Sequence, residues 1–419
     1  MQTTLAGLAV VAVGYILAYL LFDRLHQRYG YVGSAEYVLI GVILGPQVSG
    51  LLGASQVAEL TPIVSLAVGW LGMLLGTYFR LSTLALQPRD HVRIAFAEAV
   101  ATFAAALTPL LALFHWVAGF AWPESAVQAV TLAAIATLSS PAAIDALVDR
   151  TRVRSALLPV LRLTARIDAL VAVVGFGLVL AIVHQGDVAP GVRPPTATEW
   201  AVINLAIGIA TGVLFHLFLG PQDAPPEAEG SSRLFVALAG AIVVASGASY
   251  YLNLSPLYTN LVLGFILANS GRSHREATRL LLATERPVYL ALLIFAGAAW
   301  RPGSIELLFI APAFVMVRLG ARLFGGKVAG LHVAPPSLRT PALARGLLAQ
   351  GGIGVAIALN YTQVFPELNP RILLTAALLS ILLFEFVAGR EAASLLESLP
   401  PDETAEAYPG LVRTTAGAA

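Results

Sequence analysis

One carboxylate, Asp168, stands inside the apolar run ARIDALVAVV (165–174). An ionisable group at membrane depth is costly to keep there, and such groups mark ion or proton pathways. Thr164 lies one helical turn earlier on the same face, so a hydroxyl and a carboxylate can point together at a dehydrated cation. Just upstream, the stretch ATLSSPAAI (136–144) is broken by Ser-Ser-Pro. Thr137, Ser139 and Ser140 add hydroxyl oxygens there, and the break at Pro141 frees backbone carbonyls. Hard oxygen donors of this kind suit an alkali cation at Asp168, and no His or Cys cluster points to a transition metal. Poor solvation disfavours a charged carboxylate, so Asp168 can hold either a proton or a cation. Competition for one site, combined with alternating access to it, is sufficient for exchange.

Basic residues supply the counter-charge. Arg322 sits in an otherwise apolar helix as the first candidate partner of Asp168, and Arg318 lies one turn earlier on the same face. Arginine keeps its proton under all working conditions, so neither can release one. Arg162, Arg166, Glu98 and Glu385 are expected to form structural pairs or a charged cytoplasmic funnel, with Glu98 pairing to Arg162 or Arg166. His184 and His216 could titrate near neutrality but fall near helix ends.

The elements that must position these groups are membrane helices. Of 419 residues, 58% are hydrophobic and only 12% charged, and the mean hydropathy is +0.80; soluble domains look quite different. The net charge of +1 is spread over loops, which excludes a nucleic-acid face, and the absence of cysteine excludes disulfides and thiolate chemistry. No paired nucleophile and base, metal-ligand spacing or phosphate loop is present, so an enzyme is not expected, and neither is a cofactor beyond the transported cation and proton. Apolar runs near the ~20 residues that cross ~30 Å of hydrocarbon predict about thirteen helices. They fall at 5–22, 31–51, 61–79, 93–119, 126–147, 156–184, 199–219, 233–251, 254–270, 286–300, 304–325, 342–364 and 371–389. The first lacks a basic n-region and a cleavage site, so it reads as a retained helix.

Arginine placement orients them. Loops that share a side with Arg24 and Arg28 also hold Arg80, Arg89, Arg93, Arg150, Arg152, Arg154, Arg233, Arg272, Arg275, Arg279, Arg286, Lys327, Arg339 and Arg345. The opposite side holds only Arg193, Arg301 and Arg371. The positive-inside rule therefore places the N-terminus outside and the C-terminus in the cytoplasm. A first repeat over about 5–184, a linker helix over about 199–219 and a second repeat over about 233–389 follow, with a polar connector at 221–232 and a short, partly disordered cytoplasmic tail at 391–419. Six helices, a linker helix and six more invert the second repeat relative to the first. Ser139-Ser140-Pro141 in one repeat and Gln350-Gly351-Gly352 in the other are interruptions at matching positions, the sequence pointer to a mid-membrane binding site.

The chain resembles the monovalent cation:proton antiporter superfamily, in particular its bacterial sodium/proton antiporters. The likeness is carried in order by YVGSAEYVLIGVILGP (31–46), ATLSSPAAI (136–144), ARIDALVAVV (165–174), NLSPLYTNLVLGFILAN (253–269), RLGARLFGGKVAG (318–330) and LAQGGIGVAIAL (348–359). It implies an all-α inner-membrane protein of two inverted six-helix repeats whose interrupted helices cross. It further implies a core bundle carrying the ion site, a panel forming a homodimer interface in the bilayer, Asp168 as ion ligand and Arg322 opposite. Two positions depart from the pattern. Ile167 stands where relatives carry a second acid or an asparagine, and Gly351-Gly352-Ile353 stands where many end in glutamate. With one carboxylate and a permanent arginine charge, one proton exchanges for one monovalent cation, so electroneutral exchange is expected. The rivals on the same fold are a symporter of small organic anions, received by Arg162, Arg166, Arg318 and Arg322, and a potassium efflux protein. Relatives of the latter append a large nucleotide-binding domain that this tail cannot supply. A non-transporting scaffold is the remaining option.

Overall fold

The computed structural model describes residues 2–29, 35–145, 155–184, 195–219, 228–270, 274–301, 303 and 305–397. Arg150, Arg152, Arg154, Arg193, Arg272, most of the polar connector and the tail from 398 onward lie outside the described residues. Among those described, thirteen α-helices of ten residues or more follow one another. They are α1 (Gln2–Tyr29), α2 (Ala35–Leu44), α3 (Thr61–Thr77), α4 (Arg89–Ala112), α5 (Trp122–Thr137), α6 (Leu157–Ile182) and α7 (Ala197–Leu219). Then come α8 (Ala228–Tyr251), α9 (Pro256–Asn269), α10 (His274–Ala299), α11 (Ile305–Lys327), α12 (Gly352–Val364) and α13 (Pro370–Glu397). Eight are long and apolar enough to cross a membrane. The chain is a multi-pass membrane protein.

The helices pair twice in the same way. α3 packs on α9 and α2 on α10, and a shift of seven helices exchanges one pair for the other. Likewise α4 packs on α6 and α11 on α13. A shift by an odd number reverses direction across the bilayer, so the two six-helix repeats are inverted. Glycines permit the closest of these approaches. A Cβ at Gly72 would strike the Leu257 carbonyl, and one at Gly297 the Val38 carbonyl. α4, α5, α6, α11, α12 and α13 pack on one another as one bundle, the core referred to below, and α5 is the most enclosed of the long helices.

Two helices of the core are interrupted. α5 ends at Thr137, runs extended through Leu138, Ser139 and Ser140, and gives way to a helical turn at 141–145. Pro141 pushes the residue before it out of the helical region. In the other repeat a 3-10 segment, Leu343–Leu347, runs into irregular backbone before α12 begins at Gly352. Gly351 holds φ +70, a left-handed value that glycine adopts without penalty.

Several helix limits differ from the sequence expectation. α10 begins at His274 rather than 286, because its first turns are amphipathic: Ala277 and Leu281 are buried while Arg275, Glu276 and Arg279 are exposed. Charge at those positions hid the helix from a search for apolar runs. α13 continues to Glu397, so the expected tail does not start at 391: Leu395 and Leu396 are buried, and Glu391 accepts from Arg345 at 2.7 Å. α2 stops at Leu44, where the following Gly45-Pro46 cannot continue it. α4 starts four residues earlier than expected, at Arg89, and continues through a π turn to Val117.

Candidate functional site

The two interruptions meet. The Ser140 amide donates to the Ala349 carbonyl at 2.9 Å, and the Ser139 hydroxyl reaches the Leu347 carbonyl at 3.1 Å. A Cβ on Gly351 would strike the Ser140 side chain, so this crossing needs glycine for space as well as for dihedral angle. A helix that stops inside a protein leaves its last carbonyls without partners, and these carry partial negative charge. Here side chains supply the donors. Gln350 Nε2 donates to the Ile135 carbonyl at 3.1 Å, and Arg322 Nη2 donates to the Thr137 carbonyl. Arg318 Nη2 donates to Leu138 at 3.1 Å and to Leu348 at 2.9 Å, clamping both interruptions with one guanidinium. The Arg318 guanidinium also lies 4.1 Å from the centroid of the Phe384 ring, a favourable face for a desolvated cation.

Asp168 sits beside this crossing, midway along α6 and fully buried. Its Oδ2 accepts from Ser139 at 2.6 Å and from Arg322 Nη1 at 2.9 Å, while Oδ1 has no hydrogen-bond partner. The same Nη1 donates to Glu98 Oε1 at 2.8 Å, and Thr102 donates to that oxygen at 2.9 Å. Glu98, Asp168, Arg318 and Arg322 are all completely enclosed. Two buried carboxylates and two buried guanidiniums therefore share one site, with matched opposite charge, the condition under which such burial is tolerated.

Of the predicted ligands, Asp168 and Ser139 come together as expected. Thr137 contributes its carbonyl to Arg322, and its hydroxyl donates to Ala133 on its own helix at 2.8 Å. Ser140 points away from Asp168 and caps the next turn, accepting from the Ala143 amide at 3.2 Å. The Thr164 hydroxyl donates to Val160 at 2.8 Å, also within its helix. Arg322 meets the aspartate; Arg318 holds the backbone instead. Ile167 faces Ala95, Ala99 and Leu163 in an apolar contact.

Glu98 corrects the sequence expectation. It pairs with Arg322 rather than with Arg162 or Arg166. Arg162 pairs with Asp145, Arg166 lies over the Tyr78 ring at 4.9 Å, and Glu385 accepts from Tyr289 at 3.1 Å. α4 begins at Arg89, nine residues or about two and a half turns before Glu98, and this sets Glu98 level with Arg322 and Asp168 rather than at the helix end. Its sequence signal was an acid in an apolar run with Thr102 one turn ahead. Beyond the end of α6 His184 lies tilted against Trp200, ring centroids 3.8 Å apart, and partial burial pushes its pKa below the usual histidine value. His216 is exposed.

An all-helical membrane bundle with inverted repeats and interrupted helices crossing at a charged centre defines the sodium/proton antiporter fold. Among solved structures the chain is similar to the sodium proton antiporter MjNhaP1 from Methanocaldococcus jannaschii, with a TM-score of 0.65. The match covers 95% of this chain and 99% of that one at 12% sequence identity, a likeness of fold. No protein-family model matches the sequence, and no curated protein matches it either.

Proposed function

We propose that this chain is a secondary active transporter that exchanges a monovalent cation, sodium first and potassium second, for protons at Asp168. The observation that carries the reading is the Asp168 carboxylate itself. It is fully buried at the crossing of two interrupted helices, one oxygen is held by Ser139 and Arg322, and the other is unpartnered. A buried carboxylate oxygen without a partner is unfavourable as it stands and is relieved by a proton or by an alkali cation. Carbonyls at the crossing lie within the same few residues and extend the oxygen-donor set. That such a fold serves cation and proton exchange in MjNhaP1 supports the reading.

Charge accounting favours electroneutral exchange. Glu98, Asp168, Arg318 and Arg322 sum to zero when ionised, and either a proton or a monovalent cation on Asp168 takes the site to the same +1. The two loaded forms then cross the membrane with equal charge. The repeats are delimited as about 5–184 and 233–389, with 199–219 as linker helix, and the core moves against the panel to expose Asp168 alternately. In this reading the protein is a homodimer in a bacterial inner membrane, N-terminus outside. The organic-anion alternative needs four gathered arginines. Instead, Arg318 and Arg322 serve the crossing, and Arg162 and Arg166 serve Asp145 and Tyr78.

The test is proton movement in proteoliposomes carrying a pH gradient, with sodium, potassium and lithium added in turn. One cation should collapse the gradient in the wild type and none in Asp168→Asn; collapse by no cation overturns the function. A membrane potential imposed without a pH gradient should drive no cation uptake, and potential-driven uptake overturns electroneutrality.

A further inference from the structure

Glu98 has no task in exchange at Asp168, yet it is fully buried against the same guanidinium nitrogen. Arg322 Nη1 is 2.8 Å from Glu98 Oε1 and 2.9 Å from Asp168 Oδ2. Each carboxylate has one further hydroxyl donor, Thr102 for Glu98 and Ser139 for Asp168, and each keeps one unpartnered oxygen. One positive group is therefore divided between two negative ones. From this geometry we infer that Glu98 is a positioning residue: by competing for Arg322 it sets how tightly Asp168 holds its cation or proton. The inference rests on Asp168 being the exchange site.

The physical argument is one of charge. An aspartate paired to an arginine of its own has little attraction left for an incoming cation. With Glu98 ionised the four buried groups Glu98, Asp168, Arg318 and Arg322 sum to zero, and the arriving charge takes them to +1. Without it they already carry +1, and a second uncompensated positive charge must be buried beside them. Among the described residues no other ionisable group is placed to substitute. From α6 only Asp168 faces Glu98, and from α11 only Arg322 and, one turn away, Arg318. α5 offers the Thr137 carbonyl to Arg322 and no charge. Lys327 and His332, at and beyond the end of α11, are exposed, and Asp90, His91 and Arg93 lie at the far start of α4.

The experiment compares wild type, Glu98→Gln and Glu98→Asp in proteoliposomes, measuring cation KM, maximal rate and the pH of half-maximal exchange. Glutamine keeps an acceptor for Arg322 and Thr102 but removes the charge. Glu98→Gln should raise the cation KM tenfold or more, lower the maximal rate by less, and move half-maximal exchange to lower pH; Glu98→Asp should recover part of each. A variant that melts earlier but keeps the wild-type KM and pH profile overturns the inference. Should Glu98→Gln fail to fold, Thr102→Val leaves the charge and removes its second donor. Arg322 is then drawn toward Glu98 and KM should fall, and an unchanged or higher KM overturns the inference. Asp168→Asn separates the two levels: exchange that survives in Asp168→Asn defeats the exchange reading, whereas an inactive Asp168→Asn beside a wild-type-like Glu98→Gln defeats only the role of Glu98.

Discussion

The two interrupted helices occupy equivalent places in the two repeats and do different work. The break after α5 carries hydroxyls and supplies chemistry: Ser139 bonds Asp168, and the Thr137 and Leu138 carbonyls take up the two arginines. The break before α12 carries no charge and supplies shape. Gly351 adopts a left-handed angle against Ser140, and Gln350 ties the crossing to Ile135 and Ser380. Inverted repeats thus share a backbone path while only one of the two breaks places a side chain on Asp168. A duplicated architecture need not be a duplicated site.

That division is open to attack by substitution. The largest effect should come from the group serving both carboxylates. Arg322→Met strands Glu98 and Asp168 in the interior, and breaking a buried ion pair in this way costs roughly 3–5 kcal/mol. Thermal unfolding in detergent should show a large drop or no folded protein; a wild-type melting temperature would show that the pairs are not what holds the core. Gly351→Ala attacks the shape-giving break. Left-handed strain of about 1–3 kcal/mol, together with the contact against Ser140, should lower the melting temperature. An unperturbed melt would show that the second break is tolerant, against the comparison.

The finest discrimination lies between adjacent serines. Ser139→Ala removes a hydrogen bond to a buried carboxylate, a class worth about 1.5–3 kcal/mol, and should weaken cation binding. Ser140→Ala removes a turn cap worth about 1 kcal/mol and should leave the cation KM unchanged. Equal effects on KM would erase the distinction between the chemical and the structural serine.

Much of this was legible in the residues. Asp168 and the Ser-Ser-Pro break announce themselves, because a lone acid and a proline are both conspicuous in apolar sequence. Which serine faces the acid was not legible. In extended backbone successive side chains point to opposite sides, and only the packing of the crossing decides which side is which. Thr164 stands one turn from Asp168 and Thr137 at the interrupted helix, but both hydroxyls close onto carbonyls one turn back, a bond that sequence spacing equally permits. Glu98 is conspicuous as an acid in apolar sequence, but the charged residues from Arg89 to Arg93 mask the helix start, and only the fold shows it level with Arg322. Arg318 and Arg322 both stand out as charges in apolar sequence. Their separate tasks, one on backbone and one on carboxylates, needed the crossing to be seen.

The central claim is that a proton and a cation compete for the Asp168 carboxylate. It is tested most directly by proton release on cation binding to the purified, detergent-solubilised protein in weakly buffered solution, titrated with sodium and with potassium. The account predicts release approaching one proton per cation bound in the wild type at a pH where the site is protonated, with neither binding nor release in Asp168→Asn. Cation binding without proton release, or release that persists in Asp168→Asn, would contradict it.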